Sequence, residues 1–265
     1  MFGKEPMCNN ILKITKAEWM TNHRRIFGLI GKNIDYSFSR NYFKQKFEKE
    51  CINDASYVNF DIEEISQIIS VFAQQNAGYN VTIPYKKQII PYLHQLSPEA
   101  EAIGAVNVVQ ILPDGKLKGH NTDWYGFYHS LQPLLKSHHQ KALVLGTGGA
   151  SEAVCYALDK LKISVTKVSR NRSENILSYE DIDQQIMQQH TVIVNCTPLG
   201  TFPNIALYPN IPYDYLTENH LLYDLIYNPA ETQFLQEGKK RGAIIQNGYL
   251  MLELQAEESW KIWNE

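Results

Sequence analysis

The fold of this chain is decided by residues 141–151, KALVLGTGGAS. An apolar strand runs directly into a glycine loop, and the loop opens a helix predicted over residues 151–161. Residues 153, 154, 157, 158 and 161 form one apolar stripe on that helix. A second strand is predicted over residues 163–168. Strand, loop, helix and strand in this order form a βαβ unit of a parallel sheet.

The glycine loop also indicates a binding function. Its backbone N–H groups lie at a helix N-terminus, where they can bind a pyrophosphate. Ser151 replaces the third glycine of the dinucleotide fingerprint, so the match is partial, but the strand, loop and helix context favours dinucleotide binding. Strands predicted over residues 191–196, 221–225 and 243–246 extend the parallel sheet, and the loops after them point to the same cleft.

The residues after the second strand indicate which dinucleotide binds. An NAD enzyme usually has a carboxylate there for the ribose 2′-hydroxyl, whereas residues 169–173 read SRNRS. Arg170 and Arg172 suit a 2′-phosphate, because a guanidinium binds phosphate bidentately. The sequence therefore predicts NADP(H). The alternative is a solvated loop of charges.

Composition limits the remaining classes. The chain has 265 residues, 44% hydrophobic and 20% charged, with a net charge of -3, which is ordinary for a globular protein of two domains. Neither nucleic acid nor membrane is an expected partner, and no apolar run could span a bilayer. The four cysteines are far apart and show neither metal-ligand nor disulfide spacing, so we expect no metal site and a reducing, cytoplasmic compartment.

Residues 78–86, GYNVTIPYK, organise the first half of the chain. Asn80 and Thr82 alternate with apolar residues on a predicted strand that stops at Pro84, and Lys86 lies just beyond the strand end. An amide and a hydroxyl beside a lysine could hold a polyhydroxylated substrate. The alternative is a surface lysine after an edge strand.

Four more polar residues are candidates for the same site. Ser37 and Ser39 point the same way if their segment is extended, but they could instead form a turn or cap a helix predicted over residues 41–50. Asn107 is the only polar residue of a strand predicted over residues 105–109. Asp123 could hold Lys86 charged and oriented, or cap the following helix, and these two roles are compatible.

Two helices are predicted near the end of the chain. Asn228 is expected to cap the first, with Pro229 at its first position and Gly238 past its end. The second, over residues 251–263, carries Gln255.

From about residue 25 onward, the motifs and their order resemble the shikimate dehydrogenase family. The matching motifs are the serine pair Ser37 and Ser39, the N-V-T-x-P-x-K run from Asn80 to Lys86, Ala105-Val106-Asn107, Asn121-Thr122-Asp123, the loop from Gly146 to Ala150, the N-x-T-P-x-G loop from Asn195 to Gly200, Tyr223 to Tyr227, and the final set Gly248, Met251 and Gln255.

The resemblance implies an α/β fold of two domains, in which the C-terminal helix returns to the first domain. An N-terminal extension covers residues 1–24. The substrate-binding catalytic domain covers residues 25–126 and 247–265, and a Rossmann-like NADP-binding domain with a parallel sheet covers residues 127–246. The implied reaction is the reversible NADPH-dependent reduction of 3-dehydroshikimate to shikimate in aromatic amino acid biosynthesis, by a monomer or homodimer.

The resemblance also assigns residues to roles. Lys86 and Asp123 form the catalytic pair. The substrate is bound by Ser37, Ser39, Thr82, Asn107, Asp123, Tyr227 and Gln255. The cofactor is bound by Gly146, Thr147, Gly148, Gly149, Ala150, Ser169, Arg170, Asn171, Arg172, Thr197, Leu225, Gly248 and Met251.

The sequence departs from the family pattern at three places. Tyr36 stands where the family usually has His, Arg40 where it has Pro, and Ser169-Arg170-Asn171 where it has N-R-T. Two alternatives follow, a quinate/shikimate dehydrogenase of broader specificity and a non-catalytic sensor of shikimate-pathway metabolites. A sensor need not keep the Lys86 and Asp123 pair, and this chain has both.

Overall fold

A computed structural model describes residues 24–35, 37–74 and 76–265. The predicted extension, apart from Arg24, and Tyr36 lie outside the described residues. The strands are β1 (Arg25–Gly31), β2 (Ala55–Asp61), β3 (Gly78–Val81), β4 (Gln95–Leu96), β5 (Val108–Ile111), β6 (Leu117–His120), β7 (Lys141–Leu145), β8 (Ser164–Ser169), β9 (Ile176–Ser178), β10 (Val192–Asn195), β11 (Leu221–Asp224) and β12 (Ile244–Gln246).

The α-helices of the described residues connect these strands. They are α1 (Phe38–Lys49), α2 (Ile68–Phe72), α3 (Pro98–Ile103), α4 (Asp123–Leu131), α5 (Gly149–Lys160), α6 (Gln184–Gln189), α7 (Gln233–Lys240) and α8 (Tyr249–Asn264). None of the described helices is both long and apolar enough to cross a bilayer.

The first sheet is mixed, with the strand order β2-β1-β3-β5-β6-β4. Strand β1 runs parallel to β2 and β3, whereas β5 is antiparallel to β3 and β6. A turn at Asp114-Gly115 joins β5 to β6, and Gly115 has a φ of +81°, in the region that favours glycine. Strands β3 and β6 therefore run in the same direction, and the end of β3 and the start of α4, which follows β6, lie at the same edge of this sheet.

The second sheet has the strand order β12-β11-β10-β7-β8-β9, and every pairing in it is parallel. This confirms the parallel sheet predicted from the βαβ unit. Strand β9 is an addition that the sequence did not predict. Because all strands share one direction, the loops after β7, β8, β10 and β11 open on one edge.

Helix α8 returns to the first sheet after the second sheet is complete, as the resemblance implied. The indole N–H of Trp263 donates to the Val109 carbonyl at 3.1 Å, and the Gln110 amide donates to the Ile262 carbonyl at 2.8 Å. The ring of Phe27 lies 4.9 Å from that of Trp263 and 5.2 Å from that of Trp260. The boundaries of the two domains themselves stay a prediction.

The helix predicted after Asn228 is present, but its predicted start and end are wrong. Helix α7 begins later, and its N-cap is Thr232, whose hydroxyl accepts from the Leu235 N–H at 3.4 Å. Gly238 lies inside α7, where a Cβ would press on Leu222. Asn228 belongs instead to a loop, in which its carbonyl accepts from the Phe202 N–H at 3.4 Å.

Two local predictions in the first half also need correction. The segment with the serine pair is not extended, because α1 begins at Phe38 rather than at residue 41, with Ser37 as its N-cap and Ser39 inside it. Strand β3 ends at Val81, and Ile83 is 75% exposed in the following turn instead of alternating into the core.

Candidate active site

A polar cleft of about 440 Å³ opens between the ends of β1 and β3, the start of α4, helix α8 and the loop after β11. Every residue that the sequence assigned to substrate binding or catalysis lines it, namely Ser37, Ser39, Thr82, Lys86, Asn107, Asp123, Tyr227 and Gln255. These residues come from six separate segments, so the fold brings together side chains that are distant in the sequence.

Lys86 and Asp123 form an ion pair inside the polar cleft. The Lys86 Nζ lies 2.7 Å from the Asp123 Oδ2, and the two side chains are 19% and 11% exposed. Lys86 stands in the turn after β3, and Asp123 is the first residue of α4. Thr122 is the N-cap of α4 but makes no side-chain capping bond, and the Asn121 side chain accepts from the Asp123 N–H at 3.0 Å. The predicted cap role of Asp123 is therefore wrong.

The second oxygen of the Asp123 carboxylate is held by a buried amide. The Asn107 Nδ2 donates to the Asp123 Oδ1 and to the Thr122 Oγ1, both at 3.0 Å, and it lies 3.4 Å from the Gln255 Oε1. The Thr122 N–H donates back to the Asn107 Oδ1 at 2.6 Å. The carboxylate therefore has a cation on one oxygen and a fixed donor on the other.

The two serines lie at the N-terminus of α1, which contributes a separate segment of the cleft lining. Ser37 precedes the helix and its hydroxyl makes no capping bond, so it is available to the cleft. Ser39 is a partner of the buried Tyr57 hydroxyl: burial raises the pKa of Tyr57, and the hydrogen bond with Ser39 opposes that shift.

An aromatic contact joins the two halves of the molecule at this cleft. The Phe38 ring lies 5.5 Å from the Tyr227 ring in an edge-to-face arrangement, and 5.8 Å from Tyr249. The sequence analysis did not select Phe38 as a site residue, although its position between the two serines is the signal that could have found it.

Residues 32–34 form a further part of the lining that sequence reasoning missed. Lys32 pairs with Glu63 at 2.8 Å, and the Asp61 carboxylate accepts from the backbone N–H groups of Asn33 and Ile34 at 2.9 and 3.1 Å. No motif marks this segment, because its place in the site depends on pairing between β1 and β2.

A second cleft, of about 370 Å³, opens at the carboxyl edge of the second sheet. Of the residues that the sequence assigned to the cofactor, it is lined by Gly146, Thr147, Gly148, Ser169, Arg170 and Thr197. Tyr179, Cys196, Pro198 and Leu199 complete the lining of this glycine-loop cleft. None of them was assigned to the cofactor, although Pro198 and Leu199 belong to the loop after residue 196 that the sequence predicted to point to this cleft.

The glycine loop fits a dinucleotide. Gly146 has a φ of +106°, a conformation that L side chains rarely adopt, and Gly148 is the N-cap of the twelve-residue helix α5. A Cβ at Gly148 or Gly149 would meet no atom within 4 Å, so the glycine backbone faces open space in front of the helix N-terminus. Exposed N–H groups there suit a pyrophosphate.

The two arginines after β8 differ in their partners. Arg172 forms an ion pair with Asp181 at 3.1 Å and is 71% exposed. Arg170 lines the cleft, and within the described part of the chain its guanidinium has no hydrogen bond or ion pair. Arg170 is therefore the arginine with free capacity for a 2′-phosphate.

The other predicted cofactor residues do not line this cleft. Gly149 and Ala150 begin α5, Asn171 lies in the loop after β8 with Arg172, and Gly248 lies against the Leu225 carbonyl. Met251 is buried in the core with Phe127 and Val154. Their contacts with the cofactor stay predictions.

The loop containing Thr197 is supported from beneath by two buried side chains. The Asn195 Oδ1 accepts from the Thr197 N–H and hydroxyl at 3.0 and 2.7 Å, and the Asn195 Nδ2 donates to Asp224 at 3.0 Å. The Asp224 carboxylate also accepts from the Ile226 N–H and the Thr232 hydroxyl. Burial raises the pKa of Asp224 to about 6, and these hydrogen bonds limit the shift.

Comparison with known proteins identifies the family of this chain. The family profile described as the shikimate dehydrogenase substrate binding domain matches residues 29–109. A shikimate dehydrogenase (NADP(+)) of Clostridium botulinum is 37% identical over 247 residues, which cover 89% of this chain and 95% of that protein. The chain belongs to the shikimate dehydrogenase family.

Solved structures of shikimate dehydrogenases share this fold. The enzyme of Aquifex aeolicus is 34% identical with a TM-score of 0.80, covering 91% of this chain and 92% of that one. The enzyme of Thermus thermophilus, solved in complex with NADP(H) and shikimate, is 28% identical with a TM-score of 0.80, covering 90% and 93%. The similarity to shikimate dehydrogenases thus spans both sheets.

Proposed function

We propose that this protein catalyses the reversible NADPH-dependent reduction of 3-dehydroshikimate to shikimate, with Lys86 and Asp123 as its catalytic pair. The observation that carries the proposal is the 2.7 Å ion pair between these two residues in a cleft lined by six other polar or aromatic candidates. The matching names of the relatives support the reaction and the cofactor.

The ion pair suits carbonyl reduction. Negative charge develops on the carbonyl oxygen as its carbon is reduced, and the protonated Lys86 amine can stabilise that oxygen and deliver a proton to it. In the reverse direction the neutral amine accepts the hydroxyl proton. Proton transfer by a positioned side chain is typically worth about 10²–10⁴ in rate.

Asp123 has two tasks in this scheme. Its Oδ2 accepts from the Lys86 Nζ and directs it into the cleft, and its Oδ1 is fixed by Asn107, so the pair is oriented before substrate binds. Ser37, Ser39, Thr82 and Gln255 supply hydroxyl and amide groups around a ligand rich in oxygen. Tyr227 brings an aromatic edge from the second half of the chain.

The cofactor, when bound, supplies the hydride. The residues that fit it are those of the glycine-loop cleft: the backbone of residues 146–148 would hold the pyrophosphate, and Arg170 would pair with the 2′-phosphate. Thr197 is held toward the same cleft by Asn195. Loss of the Arg170 charge would leave no other uncommitted arginine in this lining.

Steady-state assays test the proposal directly. Purified protein is given shikimate or quinate, each with NADP or NAD, and the rise in reduced-nicotinamide absorbance is followed. We expect turnover with shikimate and NADP. Comparable turnover with quinate or with NAD would instead identify a quinate/shikimate dehydrogenase of broader specificity. Binding of shikimate without any turnover would identify a metabolite sensor and contradict the proposal.

We further propose that the functional unit consists of two domains, residues 25–126 with 247–265 and residues 127–246, and that it works in the cytoplasm as a monomer or homodimer. The return of α8 to the first sheet supports the discontinuous domain. Cell fractionation and light scattering of the purified protein test the compartment and the oligomeric state.

A further inference from the structure

Ser259 is a buried hydroxyl of α8 that lies behind the catalytic pair. Its side chain is fully buried, one helical turn after Gln255. The Ser259 Oγ donates to the Gln255 carbonyl at 2.7 Å, which uses its only proton. Its lone pairs face two other buried groups, the Asn80 Nδ2 at 3.1 Å and the Thr122 Oγ1 at 3.3 Å.

This arrangement sets the direction of the bond with Thr122. Because the Ser259 proton is already used, the Thr122 hydroxyl must donate to Ser259, and its own oxygen is then free to accept. It accepts from the Asn107 Nδ2 at 3.0 Å. The other acceptors for the Thr122 proton, on Asn107 and Gln255, are at 3.4 and 3.5 Å, too distant to compete well.

The Asn107 amide has two N–H groups and three neighbouring acceptors. With Thr122 Oγ1 as one acceptor at 3.0 Å, the second N–H goes to the Asp123 Oδ1 at 3.0 Å rather than to Gln255 at 3.4 Å. The hydrogen bond that orients the catalytic carboxylate therefore depends on the direction of the Thr122 hydroxyl, which Ser259 sets.

On its other side, Ser259 connects to the wall that carries the serine pair. The Asn80 amide that donates to Ser259 accepts from the Tyr57 hydroxyl at 2.8 Å, and Tyr57 is the hydrogen-bond partner of Ser39. A continuous set of buried hydrogen bonds thus runs from Ser39 through Ser259 to Asp123.

We propose that Ser259 is a positioning residue of the reaction, acting through Thr122 and Asn107 on the Asp123 carboxylate. This inference rests on the proposed function, because it assigns Ser259 a part in turnover. Ser259 is fully buried and is not among the residues that line the polar cleft, so its effect is expected on kcat more than on KM.

The first experiment compares Ser259→Ala with Ser130→Ala. Ser130 is a matched control, since it is also a buried helical serine, bonded to the Gly126 carbonyl at 2.7 Å and to the Tyr223 hydroxyl at 2.7 Å, away from the polar cleft. We expect Ser259→Ala to lower kcat about three- to tenfold, the usual size of one hydrogen bond, with KM changed less than about twofold. Ser130→Ala should leave both within about twofold.

A double-mutant cycle separates positioning from general destabilisation. In an Asp123→Asn background the carboxylate that Ser259 orients is gone, so adding Ser259→Ala should change kcat by less than about twofold. An equal loss of kcat in both backgrounds, or an equal loss in Ser130→Ala, would overturn the proposal.

Two further measurements keep the outcome clear. Circular dichroism and thermal unfolding check that each variant is folded; if Ser259→Ala is not, Ser259→Cys, which keeps the volume but bonds weakly, takes its place in the cycle. If the wild-type protein oxidises shikimate and Ser259→Ala has the same kcat, the positioning role alone is refuted. Wild-type protein without turnover refutes the proposed function instead.

Discussion

The polar cleft and the glycine-loop cleft differ in whether their charged groups already have partners in the protein. In the polar cleft the charged groups are already paired, and the Asp123 carboxylate has a partner on each oxygen. In the glycine-loop cleft Arg170 has no partner in the described ranges, and the backbone of Gly148 and Gly149 faces open space. Proton transfer requires groups that are oriented before the substrate binds. Phosphate binding instead requires an unpaired arginine, because the ligand itself supplies the opposite charge.

This difference separates the expected effects of substitution. Changes to the catalytic pair of the polar cleft should alter turnover, because they disturb an arrangement that exists without ligand. Changes in the lining of the glycine-loop cleft should alter cofactor affinity and leave turnover at saturation nearly intact. Lys86→Ala and Arg170→Gln test the two sides of that separation, Asp224→Asn tests the support beneath the glycine-loop cleft, and Phe38→Leu tests the rim of the polar cleft.

The largest effect is expected from Lys86→Ala. Removal of the proton donor should lower kcat by about 10²–10⁴ with little change in NADPH affinity. Stopped-flow turnover and fluorescence titration with NADPH measure the two quantities. Lys87→Ala, the exposed neighbour, is the control and should behave as wild type. Unchanged turnover in Lys86→Ala would remove this lysine from the mechanism.

The second effect is on stability and comes from Asp224, beneath the glycine-loop cleft. Burial raises the pKa of Asp224 to about 6, against about 3.9 in an unfolded chain, so the folded protein binds the extra proton between these values. Its contribution to the free energy of unfolding therefore falls as pH rises from 4 to 6, by about 3 kcal/mol in total.

Asp224→Asn should abolish this pH-dependent contribution, because an amide does not titrate in this range. The hydrogen bonds are kept, since the amide can still accept from Asn195 and donate to Thr232. Urea unfolding of both proteins between pH 4 and pH 7 gives the difference in free energy of unfolding at each pH. We expect wild type to lose stability relative to Asp224→Asn across this range. A constant difference would show that the Asp224 carboxyl titrates normally.

Arg170→Gln should weaken NADPH binding about 10- to 100-fold, since a hydrogen-bonded charge pair with phosphate is lost, while NADH binding and kcat at saturation change little. Arg172→Gln is the matched control: Arg172 already pairs with Asp181, and we expect less than a threefold effect, within the roughly 1 kcal/mol of an exposed pair. The reverse ranking of the two variants would assign the phosphate to Arg172.

The smallest effect is expected from Phe38→Leu. It removes the edge-to-face contact with Tyr227 at 5.5 Å, and such contacts are worth about 0.5–1.5 kcal/mol. The KM for shikimate should rise about two- to tenfold, with kcat changed less. Phe38→Tyr keeps the ring and should stay near wild type. A fall in kcat without a change in KM would place Phe38 with the catalytic pair instead.

Sequence patterns predicted the parallel sheet well, because the apolar strands, the glycine loop and the apolar stripe on α5 can each be recognised within a short stretch of sequence. They failed at Asn228 and Pro229, whose cap-like composition is used in a loop that bonds to Phe202, while Thr232 caps α7. They also failed to show that Ile83 is exposed, since the end of a strand depends on its neighbours.

The candidate site shows the same limit. The motifs named most of the polar residues that line the cleft around the ion pair, because the chemistry demands recognisable residue types, but they did not name Lys32 and Asn33. The sequence patterns did not select Ser259 and Phe38, because a buried serine on a helix and an aromatic residue between two serines form no distinctive pattern. Their importance depends on partners from other segments, which only the fold brings together.

The position of α8 has a consequence for the synthesis of the protein. The strands of the first sheet are complete at His120, but the helix that covers Phe27 and supplies Gln255 begins at Tyr249. A ribosome that adds about 5–20 residues per second leaves this apolar surface uncovered for on the order of ten seconds. Strands β7, β8 and β10, whose ends carry the glycine-loop cleft, are complete at Asn195 and can pair in that interval, whereas the polar cleft must wait for the helix. We therefore expect nascent chains to gain a cofactor site before they gain a substrate site, and a chaperone that shields the first sheet would act in that interval.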